Sequence, residues 1–552
     1  MKLKFLFSVF LLFYVAIIIR LIYIQVISRD FVGSDLYLKT KRLTSERGKI
    51  FDSSLNPLVL NQNSYLLYLE PKKITDKLKL IKFLSEKLKM EEASLSSYID
   101  EKKVYQAVAG GLDEAKKKEI EALELEGVNF EYQMKRYYPE ASLSAHLLGF
   151  VGKNEKGEDL GYFGLEGYYD KDLVGLPGFL ESERDASGKP IFIGAQKKVD
   201  PENGRDLILT IDKSIQEIAK RKLKEGIENY KARQGCVIIA NPYTMAILAL
   251  TCLPDYDIDK YFDFSESYFK NSAISDVVEP GSIFKPLIMA AAINEKKITP
   301  NSEMNEVGAI QVGEYSIKTW NDKYEGRISM TRILEKSSNV GMVWVGEKLG
   351  QEKLYSYMQK YGFGELTGID LQGESPTYLK PKNNWYKIDF ATATFGQGIG
   401  ITPIQMIRAF AAIINGGNLM KPYLVEKIKS IDKVDVIKPK VERKVISGLT
   451  SEIIKKMLVS TVENAEAKWD RPKGYKIGGK TGTAQIPIAG IYDPSKTIAS
   501  FIGFAPASKP KFVALVMLKE PGTSPWGSET AAPLFFEIAK ELIVYYNIAP
   551  EQ

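Results

Sequence analysis

Glu279-Pro280-Gly281-Ser282-Ile283-Phe284-Lys285-Pro286-Leu287 is the stretch that decides how this 552-residue chain is read. Proline and glycine close a loop, and the apolar run from Pro286 to Ile293 then suits a helix. At the head of that helix Ser282 and Lys285 stand at i and i+3, on one face. The helix dipole there favours a developing alkoxide. Lys285 can accept the serine proton if burial or a cationic neighbour lowers its pKa. The spacing alone carries no weight: Ser267 and Lys270, Ser430 and Lys433, and Ser508 and Lys511 repeat it.

Composition narrows the chemistry open to such a serine. The chain has one histidine, His146, and two cysteines, Cys236 and Cys252. Zinc sites draw several ligands from these residue types, so no metal and no cofactor is expected. A Ser-His-Asp triad would have to recruit His146, which reads as structural within Ala145-His146-Leu147-Leu148-Gly149. Cys236 and Cys252 flank a hairpin pattern. A cross-strand disulfide is open to them, but two buried free thiols are the preferred reading, since two cysteines make no disulfide framework. The net charge of +6, against 75 basic and 69 acidic side chains, gives no argument for nucleic acid.

Two further elements change the weight of the serine–lysine pair. Ser337-Ser338-Asn339 lies 55 residues downstream, and Lys480-Thr481-Gly482-Thr483-Ala484 follows 143 residues later. Ser-x-x-Lys, a Ser-x-Asn element and Lys-Thr-Gly, in that order, accompany one another in penicillin-binding proteins and serine β-lactamases. With Arg47-Gly48-Lys49-Ile50-Phe51-Asp52, the run Phe395 to Pro403 and Ser500-Phe501-Ile502-Gly503-Phe504-Ala505-Pro506, the chain resembles class B penicillin-binding proteins over nearly its whole length. Members commonly show Asp-Arg-Asn-Gly after the Arg-Gly-x-Ile stretch, whereas here Asp52 is followed by Ser53-Ser54-Leu55-Asn56, a departure at that turn.

The resemblance implies a D,D-transpeptidase that cross-links peptidoglycan stem peptides ending in D-Ala-D-Ala and is a target of β-lactams. Ser282 would be the nucleophile, Lys285 the general base, and Ser337 a proton relay to the leaving amine. Asn339 would hold Lys285 with one end of its amide and the donor peptide with the other. Lys480, Thr481 and Thr483 would receive the terminal carboxylate, and Gly482 would keep the approach clear. The backbone N–H groups of Ser282 and Thr483 would form the oxyanion hole. The Lys-Thr-Gly strand is expected at a sheet edge, where a peptide adds as a further strand. The Ser-x-Asn form leans towards a division or sporulation role, with a wall polymerase and divisome membrane proteins as partners. A non-catalytic penicillin-binding sensor or division scaffold, and a β-lactamase-like hydrolase, are the alternatives.

The expected fold is α+β and multidomain. Lys2 and Lys4 precede an apolar run from Phe5 to Ile27 whose only charge is Arg20. Twenty-three helical residues reach roughly 35 Å, enough for a membrane span. The polar Ser28-Arg29-Asp30-Phe31 that follows favours an uncleaved anchor over a signal peptide. The flanking lysines place the amino terminus in the cytoplasm and the remainder outside, a single-pass arrangement. Residues 28–204 read as a β-rich pedestal, with a lysine- and glutamate-rich helical insertion at about 72–126 and glycine-punctuated loops at 149–178. Residues 205–552 read as the serine β-lactamase-like transpeptidase domain, opening with a strand at 206–212, an amphipathic helix at 214–230 and a hairpin at 235–252.

Overall fold

The computed structural model of the chain describes residues 2–27, 38–139, 143, 145–155, 157–183, 196–488 and 491–551. Two compact units are present, Met1–Gly48 with Val174–Arg205, and Lys49–Leu173 with Asp206–Gln552.

The first unit carries the apolar helix Lys2–Ile22, continued by one wider π-helical turn at Tyr23–Ile27. Within it Lys4–Gln25 has a mean hydropathy of 2.7 and is long and apolar enough to cross a membrane. The Arg20 guanidinium lies 5.5 Å from the Tyr23 ring centre. Residues 28–31, on which the uncleaved reading rested, fall outside the described residues. The unit also holds an antiparallel sheet of Leu38–Leu43, Gly178–Glu183 and Gln196–Val199, in that order.

In the second unit a seven-stranded sheet joins segments far apart in sequence. Asp206–Leu209 runs parallel to Ile50–Phe51 and antiparallel to Val425–Lys429. Ile50–Phe51 continues into Pro57–Leu69, whose two edges take Gln106–Leu112 and Val128–Tyr137. The turn after Asp52 forms despite its unusual sequence. The buried Asp52 carboxylate accepts Ser54 N at 2.9 Å, Asn56 N at 2.7 Å and the Asn56 side-chain amide at 2.9 Å. Leu55 takes the left-handed conformation, with φ 66°.

Residues 72–126 contain the expected helices Lys77–Leu88, Glu92–Ser97 and Glu114–Glu121, with Leu80, Leu84, Leu95 and Ile120 buried against Leu67 and Leu69. They also contain the strand Gln106–Leu112, which the helical reading missed. Its partner lies about forty residues earlier, with Tyr65 opposite Leu112, and local periodicity cannot report such a pairing. Residues 149–178 likewise form a hairpin, Phe150–Lys153 with Asp159–Tyr162, and short helices Gly164–Tyr168 and Asp170–Leu173, in place of long loops. The fully buried Glu166 there accepts Arg136 Nη2 at 2.6 Å and Nε at 2.8 Å, while Arg136 Nη1 donates to Asn61 at 2.7 Å.

Around the serine a five-stranded antiparallel sheet runs in the order Ile247–Leu253, Gln234–Ala240, Phe512–Lys519, Ile491–Ala505, Gly478–Ile488. Alternate residues face opposite sides. Val237, Ile239, Phe501 and Val516 pack with Leu223, Leu534, Phe535 and Leu542 of helices Lys213–Tyr230 and Ala531–Tyr545. Ile238, Leu250, Ile502 and Leu515 share the other core with Leu287, Phe410 and Leu458 of helices Lys285–Asn294, Pro403–Ile414 and Gly448–Glu463. Asp212 caps Lys213–Tyr230 by accepting Ser214 N at 2.9 Å and Ile215 N at 3.2 Å. Cys236 and Cys252 correct the reading as free thiols: they form a disulfide. They stand directly opposite each other in the ladder, and opposed residues on one face are nearest neighbours. The hairpin pattern in the sequence left that register open.

The Arg136–Glu166 pair allows a direct test. Glu166→Ala leaves a buried guanidinium without its carboxylate, since the Arg136 side chain is only 6% exposed. A loss of about 3–5 kcal/mol is expected in chemical denaturation, with no gain from added salt.

Candidate active site

Gly281–Phe284 makes one 3₁₀ turn that runs straight into the helix Lys285–Asn294. Every residue from Lys285 to Ile293 is buried, which explains why this helix is apolar on all sides. Gly281 has φ +58°, and a Cβ there would sit 3.1 Å from Thr483 O, so the position needs glycine. Its N–H donates to Gly396 O at 2.9 Å, Val278 and Ile401 exchange two backbone bonds of 2.9 Å, and Gly398 N donates to Glu279 Oε1 at 3.0 Å. The run Phe395 to Pro403 is thus the shelf on which the Ser282 turn rests.

Lys285 is fully buried. Its Nζ donates to Ser337 O at 2.6 Å, Ser337 Oγ at 3.1 Å and Asn339 Oδ1 at 2.8 Å. Ser337 ends the helix Met330–Lys336 in the left-handed conformation, and Asn339 opens the helix Asn339–Leu349. The reversal between the two helices turns both residues towards Lys285. Burial holds the Lys285 ammonium well below its ordinary pKa, the charge of Lys480 lowers it further, and Glu306 opposes both. The decoy lysines Lys270, Lys433 and Lys511 are all exposed.

The Lys-Thr-Gly segment lies on Gly478–Ile488, an edge of the five-stranded sheet, as expected. Gly482 passes so close to the serine turn that a Cβ would lie 3.0 Å from the Ile283 side chain and 2.4 Å from Ser500 Oγ. Lys480 is fully buried, and burial pushes its pKa down to about 7. Its Nζ donates to Thr481 Oγ1 and Thr481 O, both at 3.2 Å. Thr483 Oγ1 accepts Gly527 N at 3.0 Å. A cavity of about 370 Å³ is lined by Ser282, Ser337, Asn339, Thr481, Gly482 and Thr483. Six of the eight residues singled out in the sequence therefore face one cleft, and the buried Lys285 and Lys480 bond to members of its lining. His146 lies elsewhere, its Nε2 bonded to Tyr268 O at 2.7 Å and its pKa lowered by burial.

This geometry agrees with the comparisons. Residues 235–540 match the penicillin binding protein transpeptidase domain, and residues 42–209 the penicillin-binding protein dimerisation domain. The chain belongs to the penicillin-binding proteins. It is 33% identical to the stage V sporulation protein D of Bacillus subtilis (strain 168), over 97% of this chain and 84% of that protein. It is also 33% identical to a peptidoglycan D,D-transpeptidase FtsI homolog of Mesostigma viride, over 78% of this chain and 76% of that protein. The solved peptidoglycan synthetase from Bifidobacterium adolescentis ATCC 15703 superposes with a TM-score of 0.75 at 26% identity, covering 93% of this chain and 98% of that one.

In this penicillin-binding protein two contacts add detail to the sequence reading. Asn339 Nδ2 already donates to Lys318 O at 3.1 Å, leaving its second N–H for a ligand. Lys480 does not line the cleft, whereas Thr481 and Thr483 do, and its ammonium bonds to the Thr481 hydroxyl. The motifs also left out Trp320, Trp469 and Trp526, which line the cavity. Trp320 and Trp526 meet edge to face at 5.4 Å. Scarcity was the available signal, since these are three of only five tryptophans.

The pair of lowered lysines sets a pH profile. With Lys285 as the expected base, the acylation rate should rise with pH through that depressed pKa; with Lys480 as the expected cation for the carboxylate, it should fall again as pH passes about 7. Lys285→Arg keeps the charge but cannot release its proton, and should acylate roughly 10²–10⁴-fold more slowly. His146→Ala should acylate near the parent rate. Stopped-flow acylation by a penicillin across pH measures all three.

Proposed function

We propose that this protein is the septal or sporulation-type D,D-transpeptidase of peptidoglycan, working through a Ser282 acyl-enzyme. The observation that carries the reading is the buried Lys285 ammonium, bonded to Ser337 and Asn339 in the cleft that Ser282 lines. Ser282 Oγ attacks the carbonyl carbon of the penultimate D-alanine, and its proton passes to Lys285. The tetrahedral oxyanion takes the N–H groups of Ser282 and Thr483. As the C–N bond breaks, Ser337 relays the proton from Lys285 to the departing D-alanine amine. An amine of a second stem peptide then attacks the ester, returns a proton through the same groups and frees Ser282. The donor peptide adds alongside Gly478–Ile488, and its terminal carboxylate is taken by Thr481 and Thr483 with Lys480 in support.

The Ser337-Ser338-Asn339 form and the sporulation protein among the relatives support the septal or sporulation assignment. A wall polymerase and divisome membrane proteins are the partners this role requires. The same reading divides the chain at residues 27 and 204 into anchor, pedestal and transpeptidase domain. It places the anchor across the cell membrane with the amino terminus inside, because Lys2 and Lys4 flank the apolar helix. The Cys236–Cys252 disulfide fits a catalytic domain outside the cytoplasm, where thiols are oxidised.

A fluorescent penicillin should label the full-length protein, and peptide mapping should find the label on Ser282. Ser282→Ala should abolish labelling while the circular dichroism spectrum stays unchanged. Labelling that persists, or that maps to Ser267 or Ser430, rules the assignment out. Protease added to intact cells or spheroplasts should reach the catalytic domain, and full protection would reverse the topology.

A further inference from the structure

Glu306 is a fully buried carboxylate that belongs to none of the three motifs. It ends the strand Glu303–Glu306, opposite Gly326 of Gly326–Ser329. One carboxylate oxygen accepts the Ser338 hydroxyl. The other lies 3.4 Å from Lys336 Nζ and accepts Glu325 N at 3.4 Å. Lys336 is buried as well, donating to Lys323 O at 3.0 Å and lying 3.6 Å from Glu325 Oε1. Glu325 is in turn held by Arg332 through bonds of 2.8 and 2.9 Å. The remaining charged pair on these two strands, Arg327 with Glu303, is exposed.

Ser338 is the residue of Ser337-Ser338-Asn339 for which the acylation chemistry has no use. Its hydroxyl nevertheless makes two bonds, donating to Glu306 and accepting Gly341 N at 2.8 Å as the cap of helix Asn339–Leu349. Ser337 on one side and Asn339 on the other are the residues that hold Lys285. Anchoring Ser338 therefore fixes the acceptors on both sides of it. Glu306 also acts on Lys285 by charge, against the burial and the Lys480 ammonium that favour its neutral form.

We propose that Glu306 is a positioning residue for acylation, holding the Ser337–Asn339 turn through the Ser338 hydroxyl and supplying negative charge that offsets Lys480 at Lys285. The inference rests on the reading of Ser282 and Lys285 as nucleophile and base.

The test is the pH dependence of acylation of the detergent-solubilised full-length protein by a fluorescent penicillin. Glu306→Gln keeps an oxygen for Ser338 but removes the charge. Lys285 then faces Lys480 and an under-compensated Lys336, its cation is disfavoured further, and the acid limb should move to lower pH by about half a unit or more. Lys336→Met removes the opposing cation and should move the same limb to higher pH. Ser338→Ala removes the anchored cap with both charges in place, so the rate should fall at every pH while the limb stays. A purely structural Glu306 would lower the rate or the melting temperature without moving the limb. Parent-like acid limbs in folded Glu306→Gln, or in Lys336→Met if the first variant fails to fold, overturn the proposal alone. A parent protein that is not labelled at Ser282 overturns it together with the proposed function.

Discussion

The structure around Ser282 depends on one buried lysine. An ammonium taken from water into a packed interior is strongly disfavoured unless acceptors surround it. Lys285 has three, all from Ser337 and Asn339, and these lie on a different pair of helices from Ser282 itself. The arrangement binds the two helical segments together through the contacts that hold Lys285. It also keeps the energetic cost of neutral Lys285 low, because burial and the neighbouring Lys480 already disfavour the charge.

The second constraint is close approach. The sheet edge carrying Lys480 to Thr483 must pass almost in contact with the serine turn, and glycines at 281 and 482 permit it. The shelf of residues 395–403 on one side of that turn and the Gly527 N–H on Thr483 on the other hold the distance. The result is a cleft lined by the strand segment Thr481 to Thr483, the hydroxyls of Ser282 and Ser337, and the Trp320–Trp526 pair.

Much of this was legible in the sequence, and unevenly so. The apolar amino-terminal helix, the capped amphipathic helix after Asp212, the hairpin and the apolar helix after Ser282 follow from local periodicity and turn residues. The edge position of the Lys-Thr-Gly strand was expected from the resemblance. The strand Gln106–Leu112, the register that joins Cys236 to Cys252 and the short elements at 149–178 were not legible, because each depends on a partner whose position local pattern leaves open. The Asp52 turn shows the reverse: an unfamiliar sequence closes a turn because one carboxylate accepts Ser54 N, Asn56 N and the Asn56 side-chain amide.

Sequence by itself determined which residues could do chemistry here: a serine with a lysine three residues on, two further polar elements in fixed order, and too few histidines for another base. It could not separate Lys285 from Lys270, Lys433 or Lys511, each of which also follows a serine at the same spacing. Tertiary structure made that choice by burying Lys285 completely while leaving the other three in water. Burial and a second cation nearby both disfavour the charged form of Lys285, and only burial contributed by distant parts of the chain can make that difference.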